Sequence, residues 1–273
     1  MTHPIAMIPY ANMAPFQQMG PPPGCHFVDC APRDSIQALK DKKVWAAAVP
    51  VGGLAALEGM VSALGLYGIA VSSEVMSVLF FSDRTFDRFL RPLTVRLTGE
   101  SASSVRLLFL LLGYRHGFDA LPQPVDTHGP VNGELVIGDQ ALQWGHEFKS
   151  KGSVHGYTVV TDLASCWHAL HRLPFVFARW VAHVETPQEV RLRLNDWLLE
   201  FSGREPELIT QATPRVAARL KLPLDLTGRY LRLIRRCLTQ EDRAGQDLFL
   251  SELAKHRSVI EPAVIRRDLH PSS

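Results

Sequence analysis

The sequence predicts an α/β protein built as two lobes. Three observations carry this reading. Apolar runs of strand length alternate with helical segments from Ile5 to Val181. The chain has 273 residues, 46% of them hydrophobic, which is near the size where one core gives way to two. After Thr186 the pattern turns wholly helical.

The elements follow in order. Ile5–Tyr10 reads as a short buried strand ending in a loop, and Pro21-Pro-Pro-Gly24 as a stiff turn. Cys25–Cys30 reads as a second strand. Asp34 or Ser35 opens a helix with Ile36 and Leu39 facing inward. Val44–Pro50 is a strand ended by Pro-Val-Gly-Gly, with a helix near Leu54–Leu57. Tyr67–Val71 and Val75–Phe81 are strand-like. Leu93–Leu97 alternates as a strand should, Thr98–Ser104 is a polar turn, and Val105–Tyr114 is an apolar helix. Gly133–Asp139 is a strand with a polar end, followed by a helix from Gln140. Gly156–Thr161 is a strand, Asp162–Leu170 a short helix and Leu173–Val181 a strand. Helices are expected at Pro187–Phe201, Thr213–Leu220, Thr227–Leu238 and Asp247–His256. Such alternation implies mostly parallel sheets. The expected arrangement has one lobe from 1–76 with 182–273 and a second from 77–181. A cleft lies between them, and Val75–Phe81 and Leu173–Val181 are the two crossing strands.

Composition excludes several functions. Lys+Arg total 29 against Asp+Glu 27, so a net charge of +2 creates no global field for nucleic acid. The best candidate for a membrane span, Leu107–Leu112, is far short of the roughly 18 residues one needs. The first ten residues show no basic segment followed by an apolar stretch, and the chain reads as cytoplasmic. Cys25, Cys30, Cys166 and Cys237 lack metal-ligand spacing, and the 11 His form no HExxH. Gly52-Gly53 and Gly99 make no dinucleotide fingerprint, and no phosphate-binding loop or nucleophile elbow occurs. His168 and His171 read as surface histidines. Arg229, Arg232, Arg235 and Arg236 read as a solvated stripe on the Thr227–Leu238 helix.

A small anionic ligand would have to be held by local donors. Ser101, Ser103 and Ser104 sit where a helix starts, so hydroxyls, free backbone N–H groups and the helix dipole favour a carboxylate or phosphate. Simple N-capping by one serine is the competing reading. Tyr10 and Asn12 follow the first strand. The Asn12 carboxamide can donate and accept towards a ligand, or form an Asx turn set by Pro15. Asp139 either caps the next helix or faces the cleft, and so does Asp162. Ser77 lies on an expected crossing strand.

Taken in order, Tyr10-Ala-Asn12-Met-Ala-Pro15, Ala47–Pro50, Val75-Met-Ser77-Val, Ser101-Ala-Ser-Ser104, Ile137-Gly-Asp139-Gln-Ala-Leu142 and Asp162-Leu followed by Trp167 resemble the menaquinone-biosynthesis family of the futalosine route. Leu173-Pro-Phe-Val-Phe-Ala-Arg-Trp180 is similar to the signature of its chorismate dehydratase branch. The Ile-His-Glu stretch of the sister branch, 1,4-dihydroxy-6-naphthoate synthase, is not found. The resemblance runs from about Ile5 to His256. It implies a type II periplasmic-binding-protein-like fold and cofactor-free, metal-free dehydration of a small dicarboxylate, chorismate. It implies catalytic roles for Asn12 and Ser77, and an anion loop at Ser101, Ser103 and Ser104, with Ser103 replacing a threonine. The alternatives are the sister synthase and a non-catalytic or paralogous carboxylate-binding protein of the same fold.

Overall fold

In the computed structural model, residues 2–89, 93–97, 101–125 and 131–265 are described. The elements are β1 (His3–Met7), α1 (Ala14–Met19), β2 (Cys25–Asp29), α2 (Asp34–Lys40), β3 (Ala46–Pro50), β4 (Val61–Val71) and β5 (Val78–Ser82). There follow β6 (Thr94–Arg96), α3 (Ala102–His116), β7 (Gln123–Pro124), β8 (Gly133–Ile137), α4 (Gly138–Lys151), β9 (Val159–Asp162) and α5 (Leu163–His171). The last are β10 (Phe175–His183), α6 (Gln188–Leu220), α7 (Leu224–Leu233), β11 (Arg235–Cys237), α8 (Gln240–Lys255) and α9 (Arg257–Ile265). They form two compact units. One holds the described residues up to Val71 with Val176–Arg243, and the other Ser72–Phe175 with the described residues from Ala244 onward.

The first unit is built on a sheet of order β11-β4-β10-β3-β1-β2. β1 is parallel to β2 and β3, whereas β10 runs antiparallel to β3 and β11 antiparallel to β4. The sheet is therefore mixed rather than mostly parallel, because β10 and β11 run back against their neighbours instead of completing a parallel crossover. Ala46–Pro50 is buried throughout, as expected of a strand covered on both faces. α1 is held by Phe16, which stacks on Phe201 at 3.8 Å and meets Trp180 and Trp197 edge-on or tilted at 5.4 Å. The Trp197 indole N–H donates to the Gly20 carbonyl at 2.8 Å.

Two expected helices, Pro187–Phe201 and Thr213–Leu220, are one helix of 33 residues, α6, with Pro206 and Pro214 inside it. One buried stripe continues past both prolines, which themselves lie on the exposed face, with Trp197, Leu198 and Phe201 before them and Leu208, Ile209, Ala212 and Val216 beyond Pro206. That burial outweighs the hydrogen bonds the prolines cannot make. Thr227–Leu238, expected as one helix, divides into the end of α7 and the strand β11.

The second unit is built on a sheet of order β7-β6-β8-β5-β9. β6 is parallel to β7 and β8, and β5 is antiparallel to both β8 and β9. Val75–Phe81 was expected to cross between lobes. The strand there, β5, lies wholly in this sheet, and the chain enters the unit before it, between Val71 and Ser72. α3 is apolar all round, with Leu107–Leu112 buried, so it sits inside the unit rather than on its surface.

The expected division placed the whole C-terminal part with the first lobe. In the structure α9 and all of α8 from Ala244 onward group with the second unit. Phe249 packs on Phe175 at 4.8 Å and on Trp167 at 5.9 Å. Tyr114 donates to Glu252 at 2.7 Å, and Arg106 grips Glu261 through Nε and Nη2 at 2.8 and 2.6 Å. Helical periodicity shows that α8 has an apolar face but not which core receives it. Among the described residues no helix is long and apolar enough to cross a membrane.

Candidate functional site

In the first unit the chain leaves the carboxyl end of β1 and makes a 3-10 turn, Ala11–Met13, before α1. Open α/β sheets bind ligands beyond this end of their strands. Tyr10 stands ahead of the turn, and its carbonyl accepts from the Met13 N–H at 3.0 Å. Pro15 falls in the first turn of α1, where a missing N–H breaks no helical bond. Asn12 lies at the centre of the turn. Its backbone carbonyl accepts from Nε and Nη2 of Arg236 at 3.0 and 2.8 Å. Its side-chain Oδ1 is buried and, among the described residues, has no hydrogen-bond partner. The Asx-turn reading is thereby disfavoured, because in such a turn Oδ1 accepts from a nearby backbone N–H. A buried acceptor left open costs roughly 1–3 kcal/mol, which a ligand donor recovers.

Arg236 was expected on a solvated helical stripe. It is instead fully buried on β11. The register between β11 and β4 shifts between Arg235 and Cys237. The extra residue of that shift lies on β4, and β11 itself alternates, so Arg236 turns inward between the part-exposed Arg235 and Cys237. Besides Asn12, Arg236 donates through Nη1 to Glu205 at 2.9 Å and to the Leu231 and Ile234 carbonyls, each at 3.1 Å. Burial lowers the pKa of the guanidinium and the Glu205 carboxylate opposes that shift. Arg235, also off the expected helix, forms a two-bond pair with the fully buried Asp242 at 2.7 and 2.6 Å. Asp242 in turn closes a capping box with Thr239 at the start of α8.

In the second unit the sequence-selected residues gather at one end of the sheet. β5 starts just after Ser77, and Val78 pairs with Ile137, the last residue of β8. Leu79 pairs with Asp162, the last residue of β9. β6, parallel to β8, ends at Arg96, and α3 begins at Ala102. Ser77, Asp139 and Asp162 thus stand at one end of the sheet, the end at which β6 also finishes five residues before Ser101. The Thr98–Glu100 part of the expected anion turn lies outside the described residues.

Ser101 is the N-cap of α3. Its Oγ accepts the Ser104 N–H at 3.1 Å and donates to the Ser104 Oγ at 2.9 Å. Ser103 and Ser104 are both buried. The capping reading therefore holds for Ser101, and the positive end of the helix dipole keeps this terminus suited to an anion. Asp139 lies in the first turn of α4 and is not its cap, since Ile137 occupies that place. Gly138 has φ 62°, a conformation that favours glycine, and its N–H donates to the Ser77 carbonyl at 2.8 Å. This ties buried Ser77 to the start of α4.

Asp162 does cap a helix, accepting from Ala164 and Ser165 N–H groups through Oδ1 at 3.0 and 3.1 Å. Its other oxygen accepts the Val75 and Met76 N–H groups at 2.9 and 2.8 Å. Met76 has φ 60°, and the paired N–H groups form an anion-holding concavity around the carboxylate, immediately before Ser77. Burial pushes the Asp162 carboxyl above its ordinary value, against the four N–H groups that hold it down.

His168 and His171, expected at the surface, are half-buried on α5. Nδ1 of the first and Nε2 of the second are enclosed without a partner among the described residues. Burial lowers the His171 pKa. Burial also raises the Cys166 and Cys237 thiols to about 11, so neither is a thiolate nucleophile at neutral pH. Among the described residues no group of three or more His, Cys, Asp or Glu side chains is placed to hold a metal ion.

This architecture is that of the periplasmic binding proteins. A Candida albicans protein described as having the generic periplasmic binding protein fold matches with a TM-score of 0.59 at 11% identity, covering 94% of this chain and 95% of its own. The alkanesulfonate-binding protein of Xanthomonas axonopodis pv. citri, solved with MOPS, matches with a TM-score of 0.61 at 13% identity over 96% of this chain and 97% of its own. Within that fold, the sequence matches the menaquinone biosynthesis family model over residues 4–255, and the chain belongs to that family. It is 28% identical over 260 residues to the chorismate dehydratase of Thermus thermophilus, covering 89% of this chain and 92% of the relative.

Proposed function

We propose that the protein is a chorismate dehydratase of the futalosine route to menaquinone. The reaction removes a proton from C3 and hydroxide from C4 of chorismate, forms the C3=C4 double bond, and releases water and 3-[(1-carboxyvinyl)oxy]benzoate. The ring becomes aromatic, which supplies much of the driving force. The protein's task is then to hold the ring so that elimination outruns pericyclic rearrangement, and positioning is an effective way to do that.

The observation that carries the reading is the Asn12 carboxamide, whose buried Oδ1 has no protein partner among the described residues. Asn12 and Ser77 orient the ring and its leaving hydroxyl. Ser101, Ser103 and Ser104, at the start of α3, hold a carboxylate through hydroxyls, backbone N–H groups and the helix dipole. Tyr10 and Asp139 line the substrate. The relative named chorismate dehydratase and the Leu173–Trp180 signature support this choice within the family. The proton acceptor is assigned to the substrate's own enolpyruvyl carboxylate.

Steady-state turnover of chorismate by Asn12→Ala tests the assignment. The expected result is a fall in kcat of about 100-fold, the size seen when one well-placed polar group is removed from a transition state, with little change in KM. An unchanged kcat with chorismate binding intact overturns it.

A further inference from the structure

Three features meet at the Ala11–Met13 turn. A 3-10 turn of three residues has little stability of its own. Its central carbonyl, that of Asn12, takes two hydrogen bonds from one guanidinium at 3.0 and 2.8 Å. The carboxamide of the same residue has a buried acceptor without a partner among the described residues. The guanidinium is fully buried, and its far side is fixed by Glu205 at 2.9 Å and by two carbonyls. A buried ion pair is a poor way to gain stability, since apolar residues of similar volume often do as well. What a planar fork offers is fixed geometry, two parallel donors aimed at one point.

We propose that Arg236 is a positioning residue for the reaction. It pins the carbonyl of Asn12 and so fixes the backbone from which the carboxamide is presented to the substrate, while Glu205 orients the guanidinium. This role rests on the assignment of Asn12 made above. Arg236 touches only Asn12, Glu205 and main-chain carbonyls among the contacts just described, so it acts through Asn12.

The test is a double-mutant cycle on kcat and KM with chorismate: wild type, Asn12→Ala, Arg236→Lys, and the pair, with a melting temperature for each. Lysine keeps the charge beside Glu205 but loses the fork. Arg236→Lys is expected to lower kcat by about 10- to 100-fold, since small misplacements of reacting groups have effects of that size, with KM nearly unchanged. In the Asn12→Ala background the same change is expected to lower kcat by less than about twofold, because the group it positions is gone. An equal loss in both backgrounds, or no loss in either, overturns the role. If Arg236→Lys does not fold, Glu205→Gln takes its place in the cycle, with a smaller loss of kcat expected in the wild-type background only. Again, an equal loss in both backgrounds overturns the role. A wild-type protein that does not turn over chorismate overturns the functional reading itself, and the positioning role with it.

Discussion

The two units solve the same problem with opposite charges. In the first, a buried cation holds the turn that carries Asn12 by donating to its carbonyl. In the second, a half-buried carboxylate, Asp162, holds the segment before Ser77 by accepting the Val75 and Met76 N–H groups. The cation has a counter-charge, Glu205. The carboxylate has instead four backbone N–H groups, two of them from the helix it caps. An ion pair can be kept buried because its charges offset each other. A lone carboxylate is kept buried only if nearly every lone pair is occupied. The lesson is that the strongest polar grips lie one step behind the candidate residues, on backbone groups rather than on the candidate side chains.

The sharpest way to break the comparison is Asp162→Asn. An amide keeps one acceptor oxygen and turns its NH2 towards one of the two pairs of N–H donors. The expected loss is about 1–3 kcal/mol of stability, the penalty of leaving buried donors unpaired, measured by denaturant unfolding. If the carboxylate is merely a local helix cap, the loss stays near 1 kcal/mol and turnover is unaffected. If it also sets Ser77, kcat falls as well.

A smaller effect separates capping from ligand binding at α3. Ser101→Ala is expected to lose about 1 kcal/mol of stability, whereas Ser101→Gly loses only a few tenths. Both are expected to raise KM for chorismate, because both remove the hydroxyl. A KM that tracks stability and recovers in the glycine variant reduces Ser101 to a cap.

The smallest effect is a pH dependence confined to the second unit. His171 has its pKa lowered by burial, so the folded state takes up its proton less readily than the unfolded chain. Its contribution to stability is present above the ordinary value of 6.5 and is lost as pH falls through the folded value. His171→Phe is expected to flatten this acid-side loss in thermal melts taken across that range. An identical slope in the variant assigns the loss to another group.

Much of this was legible beforehand. Apolar runs placed most strands, and Ser101 and Asp162 were readable as caps because a cap bonds within three residues of itself. Ser77 and Asp139 were selected because strand ends carry polar residues, and both stand at the β5/β8 end of the sheet in their unit. The grips behind them were not legible. Asp162 reaches back 86 and 87 residues to Met76 and Val75, and Arg236 reaches 224 residues to Asn12. Composition gives no clue that one of the four arginines between 229 and 236 is the buried one, because strand alternation in β11 rather than helical periodicity turns it inward. The 33-residue α6 was hidden for a related reason. Prolines signal a break locally, and only the buried stripe across them says otherwise.

The central claim is tested most directly by incubating the purified protein with chorismate, without added nucleotide, and following the products by chromatography with ultraviolet detection. The account expects chorismate to be replaced by an equal amount of 3-[(1-carboxyvinyl)oxy]benzoate, at a rate that collapses in Asn12→Ala. Chorismate that is bound but recovered unchanged contradicts it and makes the protein a binding module. Chorismate that is neither bound nor converted contradicts it as well and assigns the site to another carboxylate.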